Sequence, residues 1–156
     1  MNSIITMGIF RNEELVYRQQ GLERFVEAQK RDYQLALEEV RASKKLSHWI
    51  WYIFPQMYGL GHSCYANLYG ISDKKEAEDY LKHKILGKRL REITIALLGH
   101  NGCPVEDIFG DLDAMKVKSC MTLFDVICPD DIFAEVLNKF YANKRCDLTI
   151  RMLSEM

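Results

Sequence analysis

Residues 22–41 of the chain read LERFVEAQKRDYQLALEEVR, and apolar residues recur there every three or four positions. The apolar positions are Leu22, Phe25, Val26, Tyr33, Ala36, Leu37 and Val40. The charged residues on the remaining face are Glu23, Arg24, Glu27, Lys30, Glu38 and Glu39. This spacing gives an α-helix one apolar side and one charged side. The stretch therefore predicts an amphipathic helix whose apolar stripe faces a hydrophobic core.

Helical periodicity recurs along the rest of the chain, which has no internal repeat and no low-complexity linker. Further helices are predicted from Asp73 with Ser72 as cap, over 86–98, after Pro104, after the cap Asp111, over 131–142 and over 147–153. On the helix after Asp111, one face carries Leu112, Met115, Ser119, Thr122, Leu123 and Val126. We therefore predict an all-α protein, with a single multihelical globular domain of about six to eight helices over residues 21–156. Residues 1–20 are expected to form an N-terminal arm or a short extra helix.

The segment SHWIWYIFP (47–55) is ambiguous, because its aromatic and β-branched residues favour a buried strand by propensity. No other part of the chain offers that strand a partner. A lone buried strand would leave backbone polar groups unpaired, which is unfavourable. We therefore predict a short buried helix that ends before Pro55, followed by a loop over residues 56–63 that contains Gly59 and Gly61.

Composition narrows the class of protein. The chain has 156 residues, is 48% hydrophobic and 28% charged, and has a formal net charge of -1 at pH 7. These values indicate a globular protein without a strong electrostatic partner. The five cysteines form no CxxC pair, which argues for reduced thiols and against a zinc site. With no signal peptide or long apolar run, the expectation is a cytoplasmic protein with no membrane partner, no metal and no cofactor.

Six sequence blocks carry a resemblance to a known family. The blocks are LERFVEAQ (22–29), SHWIWYIFPQ (47–56), GLGHS (59–63), YLKHKILGKRL (80–90), IFGDLDAMK (108–116) and SCMTLF (119–124). In this order they resemble the bacterial family catalogued as domain of unknown function 1810, over about residues 21–153. The resemblance implies an all-helical single domain, but it supplies no catalytic residues. Some members carry the label calpastatin, yet calpastatin is an extended inhibitor, whereas this composition is globular.

Two departures from the family pattern are visible. Lys84 occupies the position where many members have proline, which weakens the predicted helix break near His83. The stretch before Gly21 is also longer than is usual in the family.

The first group of candidate site residues lies around the predicted buried helix. His48 and Trp51 would share one helical face, and the loop after Pro55 can bring further polar side chains back toward it. The polar candidates from that loop are Gln56, His62 and Ser63. Together these residues predict a small aromatic-walled cleft for a polar flat or phosphorylated molecule. The structural alternative is that both tryptophans fill the core and His48 makes a backbone hydrogen bond.

A second group follows the turn at Phe109 and Gly110. Asp113 and Lys116, with Ser119 one turn further, can line a cleft beside the apolar stripe of their helix. Helix capping and solvated charge explain the same residues without a site. A basic stripe at Lys84, Lys88 and Arg91 can meet phosphates, but the chain has no basic excess elsewhere, which argues against nucleic-acid binding.

Two classes of function remain open. The first is a binder or enzyme acting on a small molecule in the aromatic-lined cleft, whose reaction the sequence does not name. The alternative is a protein-interaction module that docks a partner, or a second copy of itself, through an aromatic patch. A concave pocket of roughly 300 Å³ or more favours the ligand, whereas a flat apolar patch favours the partner.

Overall fold

The computed structural model describes residues 21–156, which form nine helices. They are α1 (Glu23–Arg41), α2 (Ile50–Ile53), α3 (Cys64–Tyr69), α4 (Lys74–Lys82), α5 (Leu86–Leu98), α6 (Val105–Phe109), α7 (Asp111–Ile127), α8 (Ile132–Tyr141) and α9 (Asp147–Ser154). The all-α prediction is confirmed. The prediction for residues 1–20 lies outside the described residues. None of the helices within 21–156 is long and apolar enough to cross a bilayer.

Helices α5 and α7 form the centre of the domain. Helix α7 packs against α4, α6, α8 and α9, and α5 packs against α1, α4 and α8. A row of buried aromatic rings joins four of these helices: Phe25 lies 5.1 Å from Tyr80, Tyr80 lies 5.5 Å from Phe124, and Phe124 lies 5.8 Å from Phe133. Large rings contribute more buried apolar area than other side chains. This aromatic row therefore ties α1, α4, α7 and α8 into one core.

Two charged residues of α1 are buried, contrary to the prediction that they lie on the solvent side. Arg24 is 1% exposed, and its guanidinium donates to the carbonyl oxygens of Gly21, Leu68 and Gly70. It also forms a 2.9 Å ion pair with Glu76 of α4. A buried charge is tolerated when it is paired and fully hydrogen-bonded. Arg24 thus joins α1 to α3 and α4, a role that helical periodicity alone does not show.

The second buried charge, Glu39, organises the turn between α1 and α2. Its carboxylate accepts hydrogen bonds from the backbone N–H groups of Leu46 and Ser47, from the Ser47 hydroxyl and from the Trp49 indole, at 2.6–3.0 Å. Burial alone would raise the pKa of Glu39, but these hydrogen bonds outweigh it and lower the pKa. The turn is therefore folded around a carboxylate that stays ionised.

The segment 47–55 contains a helix, as predicted, but the helix is shorter than predicted and covers only Ile50–Ile53. Helix α2 begins only at Ile50, because Glu39 binds Ser47 and Trp49, and Trp49 has a non-helical backbone conformation with φ of -131°. After Pro55 the chain forms a single parallel bridge between Met57 and Ile71. The short helix α3 was not predicted. The Ser63 hydroxyl caps it by accepting from the backbone N–H of Ala66 at 3.1 Å.

Two predicted caps are displaced by one residue. Asp73, not Ser72, caps α4, and its carboxylate accepts from the backbone N–H of Glu76 at 2.8 Å. Gly110, not Asp111, precedes α7, and its φ of +82° is a conformation that suits glycine. Asp111 instead occupies the first helical position, where its negative charge suits the positive end of the helix.

The Glu39 carboxylate leads to a prediction about pH. We expect Glu39→Gln to lower the free energy of unfolding by about 2 kcal/mol at neutral pH, because buried donors lose a charged acceptor. A carboxylate whose pKa is lowered by folding stabilises the protein above its unfolded pKa, and that stabilisation is lost as the pH falls through the folded value. The difference in unfolding free energy between the two proteins should therefore shrink once the pH falls below 4.5, the ordinary pKa of a glutamate side chain. Urea unfolding at neutral and acid pH measures it.

The matched control is Glu38→Gln, which changes the exposed neighbouring carboxylate on α1. This variant should stay within about 0.5 kcal/mol of the wild type at neutral pH. A Glu39→Gln deficit that is equally large at both pH values would show that the charge of the carboxylate is not what stabilises the turn.

The two tryptophans should differ in their contribution to stability. Trp49 is 1% exposed and packs against Phe54 and Phe109, so Trp49→Ala should cost about 3–5 kcal/mol. Trp51 is only partly buried, so Trp51→Ala should cost clearly less. His48 is exposed, and His48→Ala should stay within about 0.5 kcal/mol of the wild type. Chemical denaturation of the three variants provides the comparison, and equal losses for the two tryptophan changes would contradict it.

Candidate functional site

A cleft of about 270 Å³ opens between the loop after α2 and the helices α7 and α9. We call it the α7–α9 cleft. The loop contributes Gln56, Leu60 and Gly61 to its lining. Helix α7 contributes Leu112, Met115, Lys116 and Ser119, and the start of α9 contributes Cys146 and Leu148. The cleft is thus built from three segments that are distant in sequence.

The mouth of the cleft is apolar. Leu112, Met115 and Leu148 are 74%, 65% and 51% exposed, although all three are large apolar side chains. The predicted apolar stripe of α7 is buried only in its second half, at Ser119, Thr122 and Leu123. In its first half the packing face lies on the other side of the helix, at Ala114 and Val117. The interpretation of Leu112 and Met115 as part of a packing stripe is therefore wrong, because they face the cleft.

Lys116 is the charged group of the cleft. Its ammonium forms a 3.1 Å ion pair with Asp113, and it lies 5.6 Å from the centroid of the Trp51 ring. Asp113 also forms a 2.8 Å ion pair with Lys45, which is almost fully buried. Two ammonium groups thus share one carboxylate. One positive charge is left over in this cluster, and Lys116 is the more exposed of the two lysines.

Gln56 connects the cleft with the aromatic residues behind it. On one side Gln56 lines the cleft, and on the other it lines a small pocket together with Trp51 and Tyr69. The Trp51 ring packs 4.9 Å from the ring of Tyr65. A side chain at Gly61 would place its Cβ 2.8 Å from Cβ of Ala66, so glycine is needed for the loop to approach α3 this closely. The loop, α3 and the aromatic pair therefore hold Gln56 at the cleft.

The structure brings together only part of the predicted site. Gln56 and Lys116 line the cleft, Asp113 is paired with Lys116, and the ring of Trp51 lies beneath the ammonium group. Asp113 does not itself line the cleft, and the predicted residues His48, His62 and Ser63 neither line it nor pair with a residue that does.

The predicted helical face shared by His48 and Trp51 does not form, because His48 precedes α2. The backbone carbonyl of His48 accepts a 3.4 Å hydrogen bond from the Tyr52 hydroxyl, while its imidazole is exposed. His62 is exposed just before α3, and Ser63 caps that helix. Local structure therefore explains the positions of His48 and Ser63.

Cys146 is a lining residue that the sequence did not single out. Its sulfur lies 3.4 Å from the Ser119 hydroxyl, which also lies 3.1 Å from the carbonyl oxygen of Met115. The backbone N–H of Cys146 donates to the Thr122 hydroxyl at 3.0 Å. Burial alone would raise the pKa of Cys146, but the Ser119 hydroxyl and the polar groups at the start of α9 outweigh it and lower the pKa. The sequence feature that could have indicated Cys146 is its position directly before the predicted helix 147–153.

The remaining cysteines and the basic stripe lie outside the cleft. Cys120 is fully buried, and burial raises its pKa well above the ordinary value, as expected for an inert core thiol. All five cysteines are free thiols. Within residues 21–156 no group of three or more His, Cys, Asp or Glu side chains could hold a metal ion. In the basic stripe, Arg91 is paired with Asp131 at 3.2 Å, which offsets part of its charge.

Comparison with known proteins identifies the family. The family model described as "Protein of unknown function (DUF1810)" matches residues 19–153. The crystal structure of the conserved hypothetical protein Rv1873 from Mycobacterium tuberculosis is similar to this chain, with 42% sequence identity and a TM-score of 0.83. The match covers 85% of this chain and 96% of Rv1873. No curated protein matches significantly. The chain therefore belongs to the DUF1810 family, as its six sequence blocks predicted.

Proposed function

We propose that the α7–α9 cleft binds a small molecule that has a flat apolar body and an anionic group such as a phosphate or carboxylate. The observation that carries this proposal is the position of the Lys116 ammonium beside an apolar mouth. Ligand pockets typically combine mostly apolar walls with a few polar groups that orient the ligand. Here Leu112, Met115 and Leu148 supply the apolar walls, and Lys116 and Gln56 supply polar groups.

The sign of the charge favours an anion. Lys45 and Lys116 share the single carboxylate of Asp113, so the cluster keeps one positive charge. Lys45 is occupied elsewhere, because its ammonium also donates to the backbone carbonyl of Ser47 at 2.5 Å. A ligand phosphate or carboxylate near Lys116 would complete the pairing in a site that is partly shielded from water.

The size of the cleft favours a compact ligand. Its volume of about 270 Å³ is slightly below the range of roughly 300–1,000 Å³ that is usual for ligand pockets. A single aromatic ring system with one anionic substituent suits this volume better than a dinucleotide.

The second candidate function is docking of a protein partner through the same mouth. The exposed fractions of Leu112 and Met115, 74% and 65%, favour it, because large exposed apolar side chains often mark interaction sites. Two observations favour the small molecule instead. The surface is concave, and the aromatic ring of Trp51 lies behind Lys116 rather than on an exposed patch.

Thermal unfolding in the presence of mononucleotides and aromatic carboxylic acids tests the proposal, after native mass spectrometry has identified any co-purified ligand. A ligand at 100 times its Kd adds about 2.7 kcal/mol of stability, which raises the Tm of a domain of this size by roughly 5–10 °C. We expect such a shift for at least one anionic compound. Lys116→Met should reduce it by more than half.

The control is Lys30→Met. Lys30 forms an i,i+3 ion pair with Glu27 on the exposed side of α1, so it matches the Lys116–Asp113 pair in spacing but lies outside the cleft. This variant should keep the full ligand shift. Absence of any shift, together with a concentration-dependent dimer that Leu112→Asp dissociates in light-scattering measurements, would overturn the proposal in favour of protein docking.

A further inference from the structure

We propose that Cys146 is a modification site, at which its sulfur undergoes thiol–disulfide exchange with small anionic disulfides that enter the α7–α9 cleft. The proposal rests on the proposed function in one respect, namely that the cleft admits small molecules. It adds a covalent step and a reacting atom that ligand binding alone does not require.

The first argument is access. Cys146 belongs to the lining of the cleft, together with Lys116 and Ser119. It is neither fully buried nor fully exposed. A disulfide in the cleft can therefore reach the sulfur, while the surrounding walls restrict which disulfides fit.

The second argument is stabilisation of the thiolate, which is the reactive form of cysteine. Cys146 directly precedes α9, a helix of eight residues, so its sulfur lies at the positive end of a helix. The Ser119 hydroxyl lies 3.4 Å from the sulfur and 3.1 Å from the backbone carbonyl oxygen of Met115, and a thiolate is the stronger acceptor for its single hydrogen. Burial raises the pKa of Cys146, but the Ser119 hydroxyl and the polar groups of Thr149 and Leu148 outweigh it and lower the pKa.

An independent observation comes from Thr149. Its side chain is completely buried, and within the described part of the chain its hydroxyl oxygen has no hydrogen-bond partner of normal geometry. A buried hydroxyl without a partner is unfavourable. Thr149 is the third residue of α9, and the side chain of the residue that caps a helix, here Cys146, typically lies beside the second and third helical residues. A thiolate at Cys146 is the acceptor that the hydroxyl otherwise lacks.

The other cysteines do not combine these features. Cys120 is fully buried. Cys128 contacts Asp131 at 3.3 Å and Arg91 at 3.8 Å, outside the lining of the cleft. Cys64 and Cys103 do not line the cleft. Reactivity toward a disulfide in the cleft is therefore expected at Cys146 alone among the five.

The chemical step is a balanced exchange. The Cys146 thiol first releases its proton to solvent. The thiolate then attacks one sulfur of the small disulfide, a new S–S bond forms at Cys146, and the original S–S bond breaks. The leaving thiolate takes a proton from solvent. The small disulfide is the oxidant, so the Cys146 sulfur is oxidised and the leaving sulfur is reduced. A second thiolate of the same small thiol reverses the step.

The cleft also sets a preference among disulfides. The ammonium of Lys116 attracts a disulfide that carries carboxylates, and Leu112 and Met115 contact a flat body. A suitable probe is 5,5′-dithiobis(2-nitrobenzoic acid), which has two flat aromatic rings, each with a carboxylate, and releases a coloured thiolate. A suitable neutral comparison is 4,4′-dithiodipyridine, which reacts by the same exchange without a carboxylate.

The experiment is stopped-flow measurement of the native protein with each probe. We expect one thiol to react with the anionic probe about tenfold or more faster than the others. Cys146→Ser should abolish that fast phase, and the control Cys64→Ser should retain it. Peptide mapping of the wild type after the fast phase should locate the first adduct at Cys146. A first adduct at any other cysteine, or no fast phase, would overturn the proposal.

Thr149→Val tests whether the hydroxyl stabilises the thiolate or only fills space. As a positioning residue, Thr149 should change the pH dependence of the fast phase, moving its midpoint to higher pH and leaving the rate at high pH nearly unchanged. The charged groups near the sulfur are Lys116 of α7, the neighbouring Asp147, and Arg145, which is paired with Asp125 at 3.1 Å. Thr149→Val leaves all of these groups in place, so a shifted midpoint of the fast phase belongs to Cys146. An unshifted midpoint would contradict the role of Thr149.

Lys116→Met separates this proposal from the proposed function. We expect it to slow the fast phase with the anionic probe several-fold and to leave the reaction with the neutral probe unchanged. A fast phase at Cys146 with no preference for the anionic probe would support the reactive thiol but contradict anion binding at Lys116. Ligand stabilisation without any fast phase would support the binding cleft and contradict the reactive thiol.

Discussion

The carboxylate of Glu39 is the constraint on which the cleft depends. It lies near the end of α1, where the helix dipole disfavours negative charge, and it is 8% exposed. Four hydrogen bonds offset both effects. By holding residues 46–49 in one path, they place the Trp49 indole in the core and position Lys45 beside it, with the ammonium 4.9 Å from the Trp49 ring. The turn is therefore organised by polar contacts inside an apolar environment.

From this turn, a chain of charges extends to the cleft. Lys45 reaches Asp113 of α7, and Asp113 holds Lys116 over the ring of Trp51. Each contact joins segments that are far apart in sequence, so the cleft and the turn share one electrostatic network. Networks of this kind are cooperative, because an unpaired buried member is costly in a low-dielectric environment. Glu39 and Lys116 therefore belong to one network of contacts, although the two side chains do not touch.

Helical periodicity predicted most of the fold, and tertiary contacts account for what it missed. Helix α5 has the bounds predicted for it, because the apolar spacing over 86–98 and Gly99 after it define both ends. Helix α2 starts later than predicted because the residues before it, Ser47 and Trp49, are hydrogen-bonded to the Glu39 carboxylate. Gln56 and Lys116 were predicted as site residues from residue type and spacing. The exposure of Leu112 could not be predicted, since its spacing on α7 is the same as that of a buried residue. Cys146 could not be predicted either, because it reaches the cleft only through the path of α9.

The length and path of α9 explain why a cleft exists at all. Helix α7 has 17 residues and α9 has eight, about 25 Å against 12 Å at 1.5 Å per residue. Helix α9 begins against the second half of α7, where the backbone of Cys146 binds Thr122. Near its other end, Met152 lies against Gly59 in the loop after α2, 3.3 Å from where a Cβ would stand. Because α9 leads from α7 to that loop, it leaves the first turns of α7 uncovered. The space between the three segments is the cleft, so the exposed apolar side chains at its mouth follow from how the last helix closes the domain.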